Sequence, residues 1–309
     1  MLPVQESLLL ADEFPCTGSR YTLMATEPVP LRNSGVINIA SVPHRSPFRY
    51  PGGKTWLIPR IRQWLRSLTP KPREIAEPFA GGAIVGLSAL FEDLVQELVL
   101  VEKDEDVGSV WDVLINGQAE RLAQAIVNFD FSEAAVRATL TKKPADVFER
   151  AFATILRNRV QRGGIIAAGA SLIKNGENGK GMASRWYPVT LRNRIEGILR
   201  MRRNISFIAG DGIDFIRYNS YRSDTAFFID PPYTVAGRRL YTHSEIDHEA
   251  LFNAASRVRG DFLMTYDDAK EIKRLATKFR FQTALVPMKN THHSIMNELL
   301  VGRNLDWLG

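Results

Sequence analysis

The chain has 309 residues, 45% of them hydrophobic and 24% charged, with a net charge of +6; this is the balance of a soluble globular protein with a substantial core. A lone cysteine, Cys16, excludes a disulfide framework and a cysteine zinc site, and points to a reducing, cytoplasmic setting. No run approaches the roughly 20 apolar residues of a membrane helix, and "SLLLA" at 7–11 is too short for a signal segment.

Residues 1–40 carry scattered turn formers without a sustained period and form an extension of unassigned role. "SPFRYPGGKTWLIPRIRQWLRSL" starts as a Pro/Gly loop and becomes a helix. It places Leu57, Ile61, Trp64, Leu65 and Leu68 on one face, with Pro59 in the first turn. "REIAEPFAGGAIVGLSALF" reads as a strand at Glu74–Glu77, a glycine turn and a helix. "QELVLVEKDEDVGSVWDVL" reads as a buried strand ended by Glu102, then a helix. Residues 109–205 break this alternation with predicted helices over "VFERAFATILRNRVQRGG" and "YPVTLRNRIEGILRMRR", joined by a glycine-rich loop. Strands and helices then resume through "NISFIAGDGIDFI", "TAFFID", "HEALFNAASRV", "GDFLMTY" and "AKEIKRLATKF". The last two strands, "FQTALVPM" and "MNELLVG", have no helix between them and predict an antiparallel hairpin. The expected fold is α/β: a Rossmann-like, mostly parallel sheet formed by 41–108 and 206–309, with an inserted, mainly helical lobe at 109–205.

Charge is unevenly spread. Between Arg137 and Arg203 stand 15 Lys or Arg against four Asp or Glu, whereas the remainder is mildly acidic. A solvated helical surface accounts for such a run; so does a face that meets nucleic-acid phosphates.

Chemistry concentrates at "TAFFIDPPYTVAG". Asp230 ends a predicted buried strand, where its carboxylate projects into the crevice at the sheet's carboxyl edge. Pro231 and Pro232 leave carbonyl oxygens free to accept, and Tyr233 offers a flat face for a planar ring. Together these are acceptors for an exocyclic aromatic amine beside a stacking platform; a merely rigid turn is the competing reading. "PFAGGA" can bring backbone close to a ligand at a helix N-terminus or simply make a tight connection. Glu102 stands where doubly wound folds hold ribose hydroxyls, or is a solvated strand-end acid. His292 and His293 are adjacent rather than at ligand spacing, and no metal site is expected.

The order "FRYPGGK", "EPFAGGA", basic segment, "DPPY" resembles that of the Dam-type (D12 class) N6-adenine DNA methyltransferases, over Pro47 to Gly302. The resemblance implies a class I methyltransferase fold that uses S-adenosyl-L-methionine, with the helical lobe recognising the target. It implies cofactor contacts from Tyr50 and Lys54, with Gly52 and Gly53 letting the backbone close on the methionine end. It further implies a turn under the cofactor at Phe79, Gly81 and Gly82, a ribose acid at Glu102, and an acid near the cofactor's adenine at Asp211. Asp230, Pro231, Pro232 and Tyr233 would be the catalytic motif, Asp230 also facing the cofactor. Arg157, Arg159, Arg162, Lys174, Lys180 and Arg185 are the candidate DNA contacts. The chain departs from the family's F-x-G-x-G at Ala83, and carries Glu at 102 where many relatives have Asp.

The implied reaction is direct methyl transfer to N6 of an adenine flipped out of double-stranded DNA. N4-cytosine transfer, an RNA adenine substrate and a catalytically silent DNA-binding regulator are the alternatives. A homodimer and a cognate restriction endonuclease acting on the same site are both compatible with the resemblance, and no membrane partner is expected.

Overall fold

A computed structural model describes residues 42–49, 53–166, 170–176, 179–232, 246–289 and 295–309. Seven strands form one sheet: β1 (Glu74–Glu77), β2 (Glu97–Glu102), β3 (Ile205–Ala209), β4 (Thr225–Ile229), β5 (Asp261–Asp267), β6 (Gln282–Lys289) and β7 (Ile295–Gly302). Their order is β3-β2-β1-β4-β5-β7-β6. The first five run parallel, with Ile75 opposite both Leu98 and Ala226. β7 is antiparallel to β5 and to β6, so the expected hairpin is present and caps the parallel sheet. This is the mostly parallel, Rossmann-like sheet with a closing hairpin that the sequence pattern predicted.

The period-2 alternation of each parallel strand feeds two cores. Ile75, Leu98, Leu100, Ala226 and Phe228 face one; Ala76, Val99, Val101, Phe227 and Ile229 face the other. The second core is closed by α8 (Gly212–Asn219), α9 (His248–Ser256) and α10 (Lys270–Phe279), through Ile216, Phe252 and Leu275.

The first core is covered by α1 (Ile58–Ser67) and α2 (Ile84–Phe91). Pro59 sits in the first turn of α1, and Leu57, Ile61, Trp64 and Leu65 are all buried, as the helical period required. Among the described residues, five α-helices lie between β2 and β3: α3 (Glu105–Ile115), α4 (Ala119–Asn128), α5 (Glu133–Thr141), α6 (Val147–Val160) and α7 (Pro188–Arg200). Asp104, Ser132 and Asp146 cap α3, α5 and α6 by accepting backbone N–H bonds, which explains where those helices start. The apolar faces of these helices are continuous with the sheet. Trp111, Leu122, Leu156 and Ile198 belong to the same buried cluster as Ile75 and Leu98. Among the described residues, no helix is long and apolar enough to cross a membrane.

Candidate functional site at the carboxyl edge of the sheet

The strand order reverses between β1 and β4, and in open α/β sheets a crevice opens at the carboxyl ends of the strands at that point. A cavity of about 1170 Å³ lies there, large enough for more than one drug-sized ligand. Its sheet-side wall is made by the residues that immediately follow β1, β2, β3 and β4.

After β1 the chain turns through Phe79–Gly82 into α2. Gly81 takes φ +46°, and its carbonyl accepts from the indole N–H of Trp111 at 2.9 Å, which fixes the turn from behind. Ala83, at the N-cap of α2, is also left-handed, at φ 49° and ψ 31°. An L-residue with a Cβ pays roughly 1–2 kcal/mol there, so the backbone accounts for the family's preference for glycine. Gly86 has a different reason. A Cβ at this position would collide with Leu98 and with the Glu77 carboxylate, so a side chain would push α2 off β1 and β2. Gly81, Ala83 and Gly86 thus reproduce the spacing of G-x-G-x-x-G with alanine in the middle. Reading on to Gly86 was the signal that would have revealed it. Gly212, the first residue of α8, likewise has no room for a side chain, because the Pro78 carbonyl packs against it.

Among the carboxylates that line the cavity, Glu77, Glu102, Asp211 and Asp230 are each already engaged. Glu102 accepts from the N–H groups of Gly81, Lys103 and Asp104, each at 2.9 Å. Burial pushes its carboxyl up to about 6 against the pull of those donors. Asp211 caps α8 through Ile213 and Asp214, and its other oxygen lies 3.1 Å from Lys103 Nζ. Despite partial burial, these contacts hold Asp211 below the usual carboxylate range. Glu77, 3% exposed, accepts from the Gly86 N–H. Burial, with a smaller push from the Asp230 charge, raises its carboxyl to about 8 despite that bond.

Asp230 follows β4. Its Oδ2 lies 2.9 Å from Lys54 Nζ, and its Oδ1 accepts from the Thr265 hydroxyl at 2.7 Å. Lys54 is itself buried and reaches Glu298 Oε1 of β7 at 3.3 Å. Burial alone would lower the Lys54 ammonium; Asp230 and Glu298 outweigh it and hold the ammonium above its ordinary value. An ionised carboxylate offers about four acceptor positions. Asp230 keeps 24% of its side chain exposed toward the cavity, so it can accept further hydrogens there. Thr265, Glu298 and Glu77 were not singled out from the sequence, although Glu77 opens "EPFAGGA", because the role of each depends on contacts that only the folded sheet brings together.

The cavity thus gathers Gly53, Lys54, Phe79, Gly81, Gly82, Glu102, Asp211, Asp230 and Pro232. Pro231 is buried beneath it. Tyr50, Gly52, Tyr233 and the histidine pair 292–293 lie outside the described residues. The candidate DNA contacts separate sharply. Arg162, Lys174 and Lys180 are exposed and Arg185 is half-buried. Arg157 is half-buried and pairs with Asp106 at 2.7 Å. Arg159, 3% exposed, donates to the Pro47 carbonyl and lines the cavity. Among the described residues, no group of His, Cys, Asp and Glu is arranged to hold a metal ion.

A parallel sheet reversed at its last strand, with a glycine turn and strand-end acids around one cavity, is the framework of the Rossmann-like methyltransferases. The sequence model of the D12 class N6 adenine-specific DNA methyltransferases matches residues 50–289, and the chain belongs to that family. It is therefore a DNA methyltransferase, of an enzyme class that uses S-adenosylmethionine. No curated protein matches significantly.

Solved structures resemble the chain distantly. A proposed RNA methyltransferase from Pyrococcus horikoshii is 12% identical over 82% of this chain and 84% of its own, with a TM-score of 0.38. An rRNA methyltransferase from Streptomyces viridochromogenes is 12% identical over 80% and 84%, with a TM-score of 0.35. A precorrin-6y C5,15-methyltransferase from Geobacter metallireducens is 8% identical over 79% and 84%, at 0.34. At these values no residue role is transferred from any of them.

Proposed function

We propose that this protein transfers a methyl group from S-adenosyl-L-methionine to N6 of an adenine flipped out of double-stranded DNA, with Asp230 as the acceptor that activates the amine. The observation that carries this reading is the Asp230 carboxylate, fixed by Lys54 and Thr265 at the switch point and still open to the cavity.

The donor set fits the cofactor. The Gly81–Gly82 backbone and the Glu102 carboxylate form a cradle suited to a nucleoside with ribose hydroxyls, and Gly53 with Phe79 continues the same wall. Bound there, the cofactor would supply an electrophilic methyl on a sulfonium. The chain's own part is positional and electrostatic. Accepting an N6 hydrogen at Asp230 withdraws it from the plane of the base and concentrates the nitrogen lone pair, which is otherwise delocalised into the ring. Lys54 and Thr265 hold that carboxylate in a single orientation, so little reorganisation is needed at the moment of reaction. Glu298, by pairing with Lys54, keeps the ammonium in place without exposing it to solvent. Pro231, Pro232 and Tyr233 complete the motif on our reading, with Tyr233 stacking on the flipped base. Tyr50 and Gly52 would join the cofactor contacts, and Asp211 would border its adenine.

We assign the catalytic part to residues 41–108 and 206–309 and target recognition to 109–205, whose exposed Arg162, Lys174 and Lys180, with Arg185, would meet phosphates. The test is to incubate the protein with isotopically methyl-labelled cofactor and mixed-sequence duplex DNA or RNA, then separate the nucleosides. Label in N6-methyl-2′-deoxyadenosine, from DNA alone, is expected. Label in N4-methylcytosine or in RNA would replace this reading with the corresponding alternative.

A further inference from the structure

Besides the strand-end residues, the cavity is lined by His44, Ser46, Phe48 and Arg49, by Arg159 of α6 and by Thr190, Leu191 and Arg194 of α7. Arg159 from α6 is buried, Arg194 from α7 is half-buried, and His44 and Arg49 line the cavity beside them. Each of the two helical arginines spends one donor on the strap: Arg159 on the Pro47 carbonyl and Arg194, at 3.1 Å, on that of Ser46. A guanidinium has five N–H donors. Arg159 Nε is buried without a partner among the described residues. Neither Arg159 nor Arg194 has a carboxylate partner among the described residues, in contrast to Arg157 two positions earlier, which pairs with Asp106. The charges that reach Arg159 are those of Arg194 and Arg49, of the same sign, and with burial they pull its guanidinium down from its ordinary value. The same two arginines, after burial, lower His44. A buried guanidinium such as that of Arg159, without a carboxylate partner among the described residues, is costly unless a ligand completes it.

We propose that Arg159 and Arg194, with Arg49 and His44 beside them, form a built anion subsite that takes one phosphodiester of the substrate DNA next to the target nucleotide. Its position supports the assignment. The subsite faces the cavity holding Asp230, so a strand whose phosphate rests here is held within reach of the transfer site while its base enters the pocket. A phosphodiester's two non-bridging oxygens suit forked guanidinium donors. The cofactor also carries an anion, its carboxylate, and cofactor-product affinity measured without DNA distinguishes that anion from a phosphodiester. The inference rests on the proposed DNA methylation and locates a phosphate contact inside the catalytic cavity, in addition to the exposed basic face.

The experiment compares wild type with Arg194→Gln, which keeps a donor for Ser46 but removes the charge, and Arg194→Lys, which keeps the charge. Binding of a mixed-sequence duplex is followed by fluorescence anisotropy across salt concentration. S-adenosylhomocysteine affinity is measured by calorimetry without DNA. The expected result is a log–log salt slope shallower by about 0.9 in Arg194→Gln, the value of one phosphate contact. Arg194→Lys should retain the slope, and cofactor-product affinity should stay unchanged in both. A cofactor-product affinity that falls tenfold in Arg194→Gln with an unaltered slope would identify the anion as the cofactor's carboxylate and overturn the proposal. An unaltered slope together with a lowered unfolding midpoint would make Arg194 a strap for residues 44–49 only. In both failures wild-type methylation of DNA persists, whereas a wild type that neither binds nor methylates DNA removes the proposed function itself.

Discussion

On the sheet side of the cavity the charges are carboxylates tied by the chain itself: Glu102 and Asp211 to backbone N–H groups, Glu77 to Gly86, Asp230 to Lys54 and Thr265. Elsewhere in the lining Arg159 and Arg194 each touch one backbone carbonyl, and no carboxylate among the described residues neutralises them. The first set is complete before anything binds, and the second is electrostatically unfinished. Acceptors aimed at a reacting amine act best when already oriented. A site for a mobile, strongly hydrated phosphate has to keep its donors available instead.

The contrast can be broken at its most ordered point. Asp230→Ala is expected to lower the methyl-transfer rate by about 10²–10³, the usual loss when one oriented electrostatic group is removed, while DNA affinity changes little. Single-turnover kinetics and anisotropy separate the two effects. Rates near wild type would remove Asp230 from the reaction.

Lys54→Met tests whether the acidic wall depends on its buried cation. The substitution leaves Asp230 and Glu298 facing each other without the ammonium between them. Removing one partner of a buried ion pair costs about 3–5 kcal/mol, so the urea midpoint should fall steeply. A midpoint within experimental error of wild type would show that the pair is dispensable.

Glu77 sharpens the comparison through pH. Its carboxyl is raised to about 8 in the folded protein, whereas the unfolded chain loses that proton near the ordinary glutamate value. Between those limits the folded state binds more protons, so this group's contribution to stability declines as pH rises. The decline approaches about 1.4 kcal/mol per pH unit at its steepest. Glu77→Gln should flatten the part of the stability curve between pH 5 and 8 that belongs to this residue. Denaturant titrations at three pH values suffice, and parallel curves for the two proteins would refute the buried neutral acid.

The smallest effect is expected at Ala83→Gly. Relieving a left-handed alanine gains roughly 1–2 kcal/mol, and the greater freedom of glycine in the unfolded chain takes back about 0.5–1 kcal/mol. A net stabilisation of up to about 1.5 kcal/mol should appear in the melting temperature, and a clear destabilisation would count against the strained turn.

Much of this architecture was legible in the chain. The strand at Glu74–Glu77, Glu102 at a strand end, Asp230 just after β4 and the closing hairpin all follow from runs of apolar residues ended by polar or turn-forming ones. The basic segment was harder. Arg157 and Arg159 read as a single cationic cluster, but residues two apart on a helix point in different directions. One turned to Asp106 and the other into the cavity, while Arg162, beyond the helix end, stayed exposed. Composition records charge without direction.

The sequence by itself determined the parallel sheet, its reversed last strand and the strand-end acids, because periodicity and turn chemistry are local and survive without knowledge of neighbours. Only the tertiary structure decided that Lys54 joins Asp230 to Glu298, that Gly86 must lack a side chain, and that Arg159 faces inward. Those outcomes depend on which elements lie side by side in the sheet and the core. Such packing joins residues up to 244 positions apart, from 54 to 298, and no local pattern encodes it.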